Sequence, residues 1–143
     1  MDVTVARGLR YDPADDLAAV RAVVPAWWWR EVEAVHFRRR VSSGRLVGSY
    51  CDGVIEVSCG HLGWRDSVRR TLVHELAHHV DRAGKFSLAL AHHRKHFRRL
   101  HPRSTGAAEY WARGAEDFFL GDRRTLEKEH PALAALLRGS RIP

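Results

Sequence analysis

Residues 71–81 read Thr-Leu-Val-His-Glu-Leu-Ala-His-His-Val-Asp and contain the pattern His-Glu-x-x-His. In an α-helix, residues four positions apart lie on the same face, so His74 and His78 point to the same side. Two imidazoles in this arrangement can bind one zinc ion. Glu75 projects from nearly the same side and can reach a water molecule held by that metal. The stretch therefore predicts a helix that carries a zinc site with its own general base.

The residues around the motif predict a helix with one buried face, at about 67–83. Asp66 is expected to cap the amino-terminal end of this helix, and Gly84 is expected to end it. His74 and His78 fall on a different face from the apolar residues, so the ligands point away from the core. The alternative is a surface helix that carries histidines by chance. The apolar face comprises Val68, Leu72, Val73, Leu76, Ala77 and Val80.

The length of 143 residues predicts one domain, 1–143, that can bury a core without metal or disulfide support. The amino-terminal residues include no long apolar region, and no segment reaches the length of a membrane span. We therefore expect no signal peptide, no membrane partner and a cytoplasmic location. The net charge of +7 is compatible with a nucleic-acid partner. Because the charges are spread along the chain, an ordinary solvated surface is the favoured explanation.

A β-hairpin is predicted by Asp52-Gly53, a strong two-residue turn signal between two β-prone segments. This turn places the apolar residues on one face of the hairpin, which supports the register. Cys51 and Cys59 then lie on opposite faces and cannot form a disulfide, so we expect free thiols in a reducing compartment. The predicted pairs are Tyr50 with Ile55, Gly48 with Val57, and Leu46 with Cys59.

The order of the predicted elements indicates an α+β fold with a small mixed or antiparallel sheet packed on the motif helix and a mainly helical carboxyl-terminal half. Besides the hairpin at 45–59 and the motif helix, we expect the following elements: a helix from Asp12-Pro13 to about Val24, a strand at 31–39, a helix at 86–100 capped by Ser87, a loop at 101–104, a helix at 105–120 ended by Gly121, and a short helix from Pro131 to about Arg138.

A catalytic zinc site usually has three protein ligands and keeps a fourth position open for water. His79 is adjacent to His78 but points about 100° away around the helix, so we do not expect it to bind the same ion. A second group, His92, His93 and His96, lies among several arginines and a lysine. A strongly basic helix face is a poor place for a divalent cation and is more typical of a solvated surface.

The remaining candidates for the third ligand are Glu109 and Glu116, in the aromatic-rich segment 108–119. The two carboxylates are seven positions apart and therefore share one helical face. A buried carboxylate needs a partner, and a zinc ion is one such partner. The alternative for Glu109 is a favourable interaction with the helix dipole, and for Glu116 a salt bridge to an arginine. The spacing favours Glu109 and leaves both open.

The two motifs together resemble those of the gluzincin class of zinc metallopeptidases, in particular the small bacterial minigluzincins and the catalytic domain of anthrax lethal factor. In these families the second motif reads approximately Glu-Phe-Phe-Ala-Glu or Glu-x-Phe-Ala-Arg-x-x-Glu, and residues 109–116 here read Glu-Tyr-Trp-Ala-Arg-Gly-Ala-Glu. The resemblance covers about 45–120 and implies a zincin-like fold. It also implies a Zn²⁺ site with His74, His78 and Glu109 as ligands and Glu75 as the catalytic base.

The resemblance implies two further roles. Arg113 stands where some relatives have an acidic residue, so another group must orient the ligand histidines. Asp81 is our candidate, because it lies on the same helical face. In zincins an edge strand before the motif helix binds the substrate in an extended form, and residues 54–58 are suitably placed for this.

The predicted function is therefore zinc-dependent hydrolysis of peptide bonds in a protein or peptide substrate. In this hypothesis Glu75 takes a proton from a metal-activated water and transfers it to the leaving amine. The oxyanion that forms needs a donor besides the metal. The sequence leaves four candidates for this donor: Tyr50, His61, His101 and Tyr110.

Two other functions are compatible with the sequence. The first is a protease that acts on DNA-associated proteins, like the SprT-like or ImmA/IrrE-like groups, which the basic charge favours. The second is a non-catalytic zinc-binding module, which the presence of Glu75 disfavours. Of the three consecutive tryptophans at 27–29, at least one is expected to pack in the core, since three in a row cannot all face the same way. The alternative is that an exposed one binds a partner or substrate or makes an inhibitory contact.

Overall fold

The structure is a computed structural model that describes residues 1–9, 12–40, 47–59, 65–93 and 106–139. It consists of two compact units, Met1–His79 and Val80–Pro143. In the described residues, a four-stranded mixed sheet lies in the first unit, and every element after the sheet is helical. The predicted α+β class is confirmed, including a mixed sheet and a helical carboxyl-terminal half. The single domain at 1–143 stays a prediction.

The sheet of the first unit has the strand order β1-β2-β4-β3. The central pair, β2 and β4, is parallel, and β1 extends the sheet in parallel beside β2. β3 lies at the other end and is antiparallel to β4. β2 falls within the strand predicted at 31–39. The strands are β1 (Asp2–Val5), β2 (Ala34–Arg38), β3 (Gly48–Cys51) and β4 (Val54–Ser58).

The hairpin of β3 and β4 has the predicted register. Tyr50 pairs with Ile55, and Gly48 pairs with Val57, while Leu46 lies outside the described residues. The turn forms because Asp52 and Gly53 both have positive φ angles, 44° and 83°, which a two-residue hairpin turn of this kind requires. Cys51 is exposed and Cys59 is buried, and both are free thiols as predicted.

The expectation that residues 54–58 form an edge strand is wrong. β4 has β2 on one side and β3 on the other, so its backbone groups are used within the sheet. Of the two strands of the hairpin that precedes the motif helix, β3 is the one at the edge of the sheet. The turn signal at 52–53 reveals the antiparallel partner of β4, but its parallel partner is distant in sequence and leaves no local signal.

The first helix, α1 (Ala14–Val23), begins as predicted from Asp12-Pro13. The Asp12 carboxylate accepts a hydrogen bond from the Ala14 N–H at 2.9 Å. A 3-10 helix, Ala26–Trp29, follows and contains the three tryptophans. Trp28 is completely buried, which confirms the packing role for this residue, and Trp27 and Trp29 are half-buried.

The motif lies on α2 (Arg65–Gly84), which begins two residues before the predicted range and ends one residue after it. The side chain of the expected cap, Asp66, lies outside the described residues.

Gly84 is the last helical residue, but the left-handed conformation is adopted by Lys85, with a φ of 51°. A Cβ at Gly84 would lie 2.1 Å from the ring of Phe86, so close packing explains this glycine. The predicted apolar face is buried: Val68, Leu72, Val73, Leu76, Ala77 and Val80.

The helix predicted at 86–100 is confirmed only at its start. In its place the structure has α3 (Phe86–Ala89) and a 3-10 turn, Ala91–His93, and residues 94–105 lie outside the described part of the chain. Within 106–139 the structure has three helices, of which the second was not predicted. They are α4 (Ala107–Leu120), α5 (Arg123–Glu129) and α6 (Pro131–Gly139).

An ion pair that was not predicted connects α1 to the motif helix. The Asp16 carboxylate is 1% exposed and accepts a hydrogen bond from Arg69 Nε at 2.6 Å. We expect Asp16→Ala to lower the free energy of unfolding by about 2 kcal/mol, because it leaves a half-buried guanidinium without this carboxylate. Urea denaturation measures this change. Asp15→Ala is the matched control, since it removes an exposed carboxylate from the same helical turn. Equal losses in the two variants would contradict a specific role for the pair.

Candidate metal centre

The two motif histidines converge on α2. The Nε2 atoms of His74 and His78 lie 3.0 Å apart, and the ring centroids are 4.7 Å apart with an interplanar angle of 77°. Two imidazole ligands on a tetrahedral zinc ion have nitrogens about 3.3 Å apart, from the usual zinc–nitrogen distance. Both side chains are half-buried. Their arrangement therefore fits the binding of a single cation by both rings.

Glu109, in the first turn of α4, belongs with His74 and His78 to a group of three potential metal ligands. One ligand atom from each of His74, His78 and Glu109 lies within 4.8 Å of the others, so the group could hold a metal ion. Two neutral imidazoles and one carboxylate are a donor set that suits zinc and related transition metals. These are the three residues that the family resemblance implies as ligands, and their role as ligands stays a prediction.

Glu116, the other candidate for the third ligand, has a different partner. Its carboxylate is 3% exposed and accepts a hydrogen bond from Arg113 Nη1 at 2.9 Å. This is the arginine ion pair that was the alternative for Glu116, and it forms within one turn of α4. Arg113, the residue that departs from the family pattern, is therefore used to neutralise a buried carboxylate.

The Glu75 carboxylate is buried on α2, next to the edge strand β3. The Glu75 side chain is 8% exposed. A Cβ placed on Gly48 of β3 would lie 2.7 Å from Glu75 Oε1 and 2.4 Å from the Cγ2 atom of Thr71. The backbone of β3 therefore passes directly over the carboxylate, which places the expected base at the edge of the sheet.

The His79 ring forms its hydrogen bonds with groups outside the motif, as its direction on the helix predicts. Its Nε2 lies 2.6 Å from the carbonyl oxygen of Arg30, and its Nδ1 lies 3.1 Å from the Tyr50 hydroxyl. Because a carbonyl oxygen only accepts, Nε2 carries the proton and Nδ1 accepts from Tyr50. Both nitrogens of His79 are thus used, and the ring connects β3 to the motif helix.

The expectation that Asp81 orients the ligand histidines is wrong. Its two carboxylate oxygens accept hydrogen bonds from the backbone N–H and the hydroxyl of Ser87, each at 2.6 Å. Asp81 therefore caps α3, and Ser87, which was expected to be the cap, lies inside that helix. Helical spacing correctly gives the face of Asp81, but it does not show which donors lie within reach of its carboxylate.

Both described tyrosines among the proposed oxyanion donors have imidazole partners. The Tyr50 hydroxyl donates to His79, and the Tyr110 hydroxyl lies 2.8 Å from Nδ1 of the buried His130. Burial raises the pKa of Tyr110 to about 12, so this hydroxyl keeps its proton at neutral pH. The other two candidates, His61 and His101, lie outside the described residues.

Gly48 and His130 were not singled out from the sequence, and the pairing of Tyr50 with His79 was not predicted either. A glycine within a strand often marks a close approach of the backbone to another group, and this signal was available for Gly48. No local signal pairs Tyr110 with His130 or Tyr50 with His79, because the partners are distant in sequence.

No family of known proteins, no curated protein and no solved structure matches the chain significantly. Among the helices of the described residues, none has both the length and the apolar character needed to cross a membrane.

Proposed function

We propose that the protein is a zinc-dependent metallopeptidase with a zincin-like fold. The observation that carries this proposal is the convergence of one ligand atom each from His74, His78 and Glu109 within 4.8 Å. The same helix supplies Glu75, a buried carboxylate adjacent in sequence to the first ligand. A purely structural zinc site has no use for a carboxylate in this position, so the combination supports catalysis.

The residues of the site have distinct roles in this proposal. His74, His78 and Glu109 would hold the ion, and a zinc ion bound there would supply Lewis-acid activation of water and of the substrate carbonyl. Glu75 accepts a proton from the attacking water on its carboxylate. It then donates this proton to the nitrogen of the leaving amine as the peptide bond breaks.

The edge of β3 is the proposed substrate-binding strand, in place of residues 54–58. The Ser58 N–H donates to the Val47 carbonyl at 2.7 Å, so these two residues form a hydrogen-bonded pair. Such pairs alternate along an antiparallel ladder, and therefore the backbone groups of Gly48 and Tyr50 point away from β4. An extended peptide can pair with these groups as an added strand, next to Glu75.

Removal and restoration of the metal test the proposed function. The purified protein is expected to contain about one zinc ion per chain by mass spectrometry. It should cleave fluorescently labelled casein, lose this activity on dialysis against a chelator, and regain it on addition of zinc. A protein that holds no stoichiometric metal, or that cleaves casein equally well after chelation, would refute the proposal.

A further inference from the structure

We propose that Gly48 is a positioning residue for Glu75. Because position 48 has no side chain, the edge strand can pass over α2 at a distance that holds the Glu75 carboxylate in one place. This inference rests on the proposed function in one respect, namely that Glu75 acts as the base. The contact between Gly48 and Glu75 itself is independent of any metal.

Position 48 requires a glycine because no space is left for a side chain, and not because of its backbone conformation. Among the glycines that the structure describes, Gly8 and Gly53 have positive φ and Gly48 does not, so the backbone at Gly48 is one that other residues can adopt. A Cβ at Gly48 would lie 2.7 Å from Glu75 Oε1, 3.0 Å from Glu75 Cγ and 2.4 Å from Thr71 Cγ2. Distances below 3.0 Å essentially never occur for a real Cβ, so a side chain here must displace a neighbour.

The strand itself is held on both sides and cannot easily move away. Two residues after Gly48, the Tyr50 hydroxyl donates to His79, which lies one helical turn after Glu75. One residue before it, the Val47 carbonyl accepts from Ser58 in the neighbouring strand. Alternate residues of a strand are about 6.7 Å apart, close to one turn of a helix, so Gly48 and Tyr50 contact successive turns of α2.

The Glu75 carboxylate is therefore the group that an added methyl would displace most readily. Thr71 is buried, and its branched side chain has few alternative rotamers in a helix. Glu75 has a flexible side chain whose far end meets the new atom. A general base must lie about 2.6–3.2 Å from the atom whose proton it takes. A displacement of about 1 Å is enough to lower a catalytic rate by about 100-fold.

The test compares Gly48→Ala with the matched control Gly139→Ala, which adds the same methyl group at a position where it meets no atom within 4 Å. We expect Gly48→Ala to bind zinc with wild-type affinity, because the three atoms nearest to its methyl group belong to Thr71 and Glu75. Its kcat for casein hydrolysis should fall by about 100-fold, with KM changed less than kcat. Gly139→Ala should match the wild type in all three measurements.

Two double variants separate positioning from simple packing. In the metal-free protein, Gly48→Ala should raise the equilibrium constant for unfolding less in a Glu75→Ala background than in the wild type, with a coupling of about tenfold in urea denaturation. Combining Gly48→Ala with Thr71→Ser removes the overlap with Thr71 Cγ2. This combination should recover stability while kcat stays low, since the overlap with Glu75 remains.

Three results would overturn the role of Gly48: a wild-type kcat in Gly48→Ala, no coupling between positions 48 and 75, or recovery of kcat together with stability when Thr71 is shortened. A wild-type protein that binds no zinc and hydrolyses nothing would instead refute the proposed function, and with it the catalytic role of this contact. The coupling measured without metal distinguishes the two failures, because it does not depend on activity.

Discussion

Replacing Glu75 with glutamine is expected to abolish peptide hydrolysis while leaving the metal in place. Glutamine has nearly the shape of glutamate, but its amide cannot take a proton from water at neutral pH. The loss of a general base typically lowers kcat by about 10²–10⁴-fold, and we expect a value in the upper part of this range because the same carboxylate also serves the leaving group. Casein hydrolysis and zinc content, measured on the same preparation, test this expectation.

The control for this variant is Glu56→Gln, which changes a half-buried glutamate on the sheet that pairs with Arg38 at 2.9 Å. It should keep both zinc and activity. Full hydrolysis by Glu75→Gln would remove this residue from the mechanism. Zinc binding in the wild type without hydrolysis of any substrate would favour a non-catalytic zinc module.

Replacing Glu109 with alanine is expected to lower the affinity for zinc by at least about 100-fold, whereas Glu116→Ala should not. Loss of even an indirect contact to a metal site typically lowers affinity by about 10–100-fold, and Glu109 contributes a direct ligand. Glu116 is bound to Arg113 at 2.9 Å and is not part of the three-residue group. Competition with a chromophoric chelator measures both affinities.

The two variants also differ in their expected stability without metal. Glu116→Ala removes a buried carboxylate from its ion pair and should lower the free energy of unfolding by about 1 kcal/mol, because Arg113 is partly exposed and stays hydrated. Glu109→Ala should lower the stability of the metal-free protein less than Glu116→Ala does, because the side chain of Glu109 is more exposed than that of Glu116. The reverse result, loss of zinc in Glu116→Ala alone, would move the third ligand to Glu116.

The sequence predicted those turns and helices whose structure depends on residues close together in the chain. The hairpin register follows from Asp52-Gly53, because few turns suit two residues with positive φ. The motif helix follows from the spacing of its apolar residues. α5 was missed, although Asp122 caps it by accepting hydrogen bonds from the N–H and hydroxyl of Thr125, because a helix of seven residues shows too little periodicity.

Features that join distant segments could not be predicted in the same way. The place of β4 at the centre of the sheet depends on its parallel pairing with β2, which no turn connects. The role of Asp81 depends on Ser87, because a carboxylate binds the nearest donors that the folded chain presents. Of the site itself, the type and spacing of the residues predicted His74 and His78 and left Glu109 and Glu116 open, and the family resemblance implied Glu109. The structure groups Glu109 with the two histidines and adds the closeness of Gly48 to Glu75.

The different environments of the two cysteines have a practical consequence. The chain has two cysteines, of which Cys59 is buried, while Cys51 is exposed at the end of β3. A thiol-reactive fluorophore will therefore attach at Cys51 in the folded protein, with no need for mutagenesis. Its emission would then report directly on whether an inhibitor or a peptide has reached the neighbouring backbone.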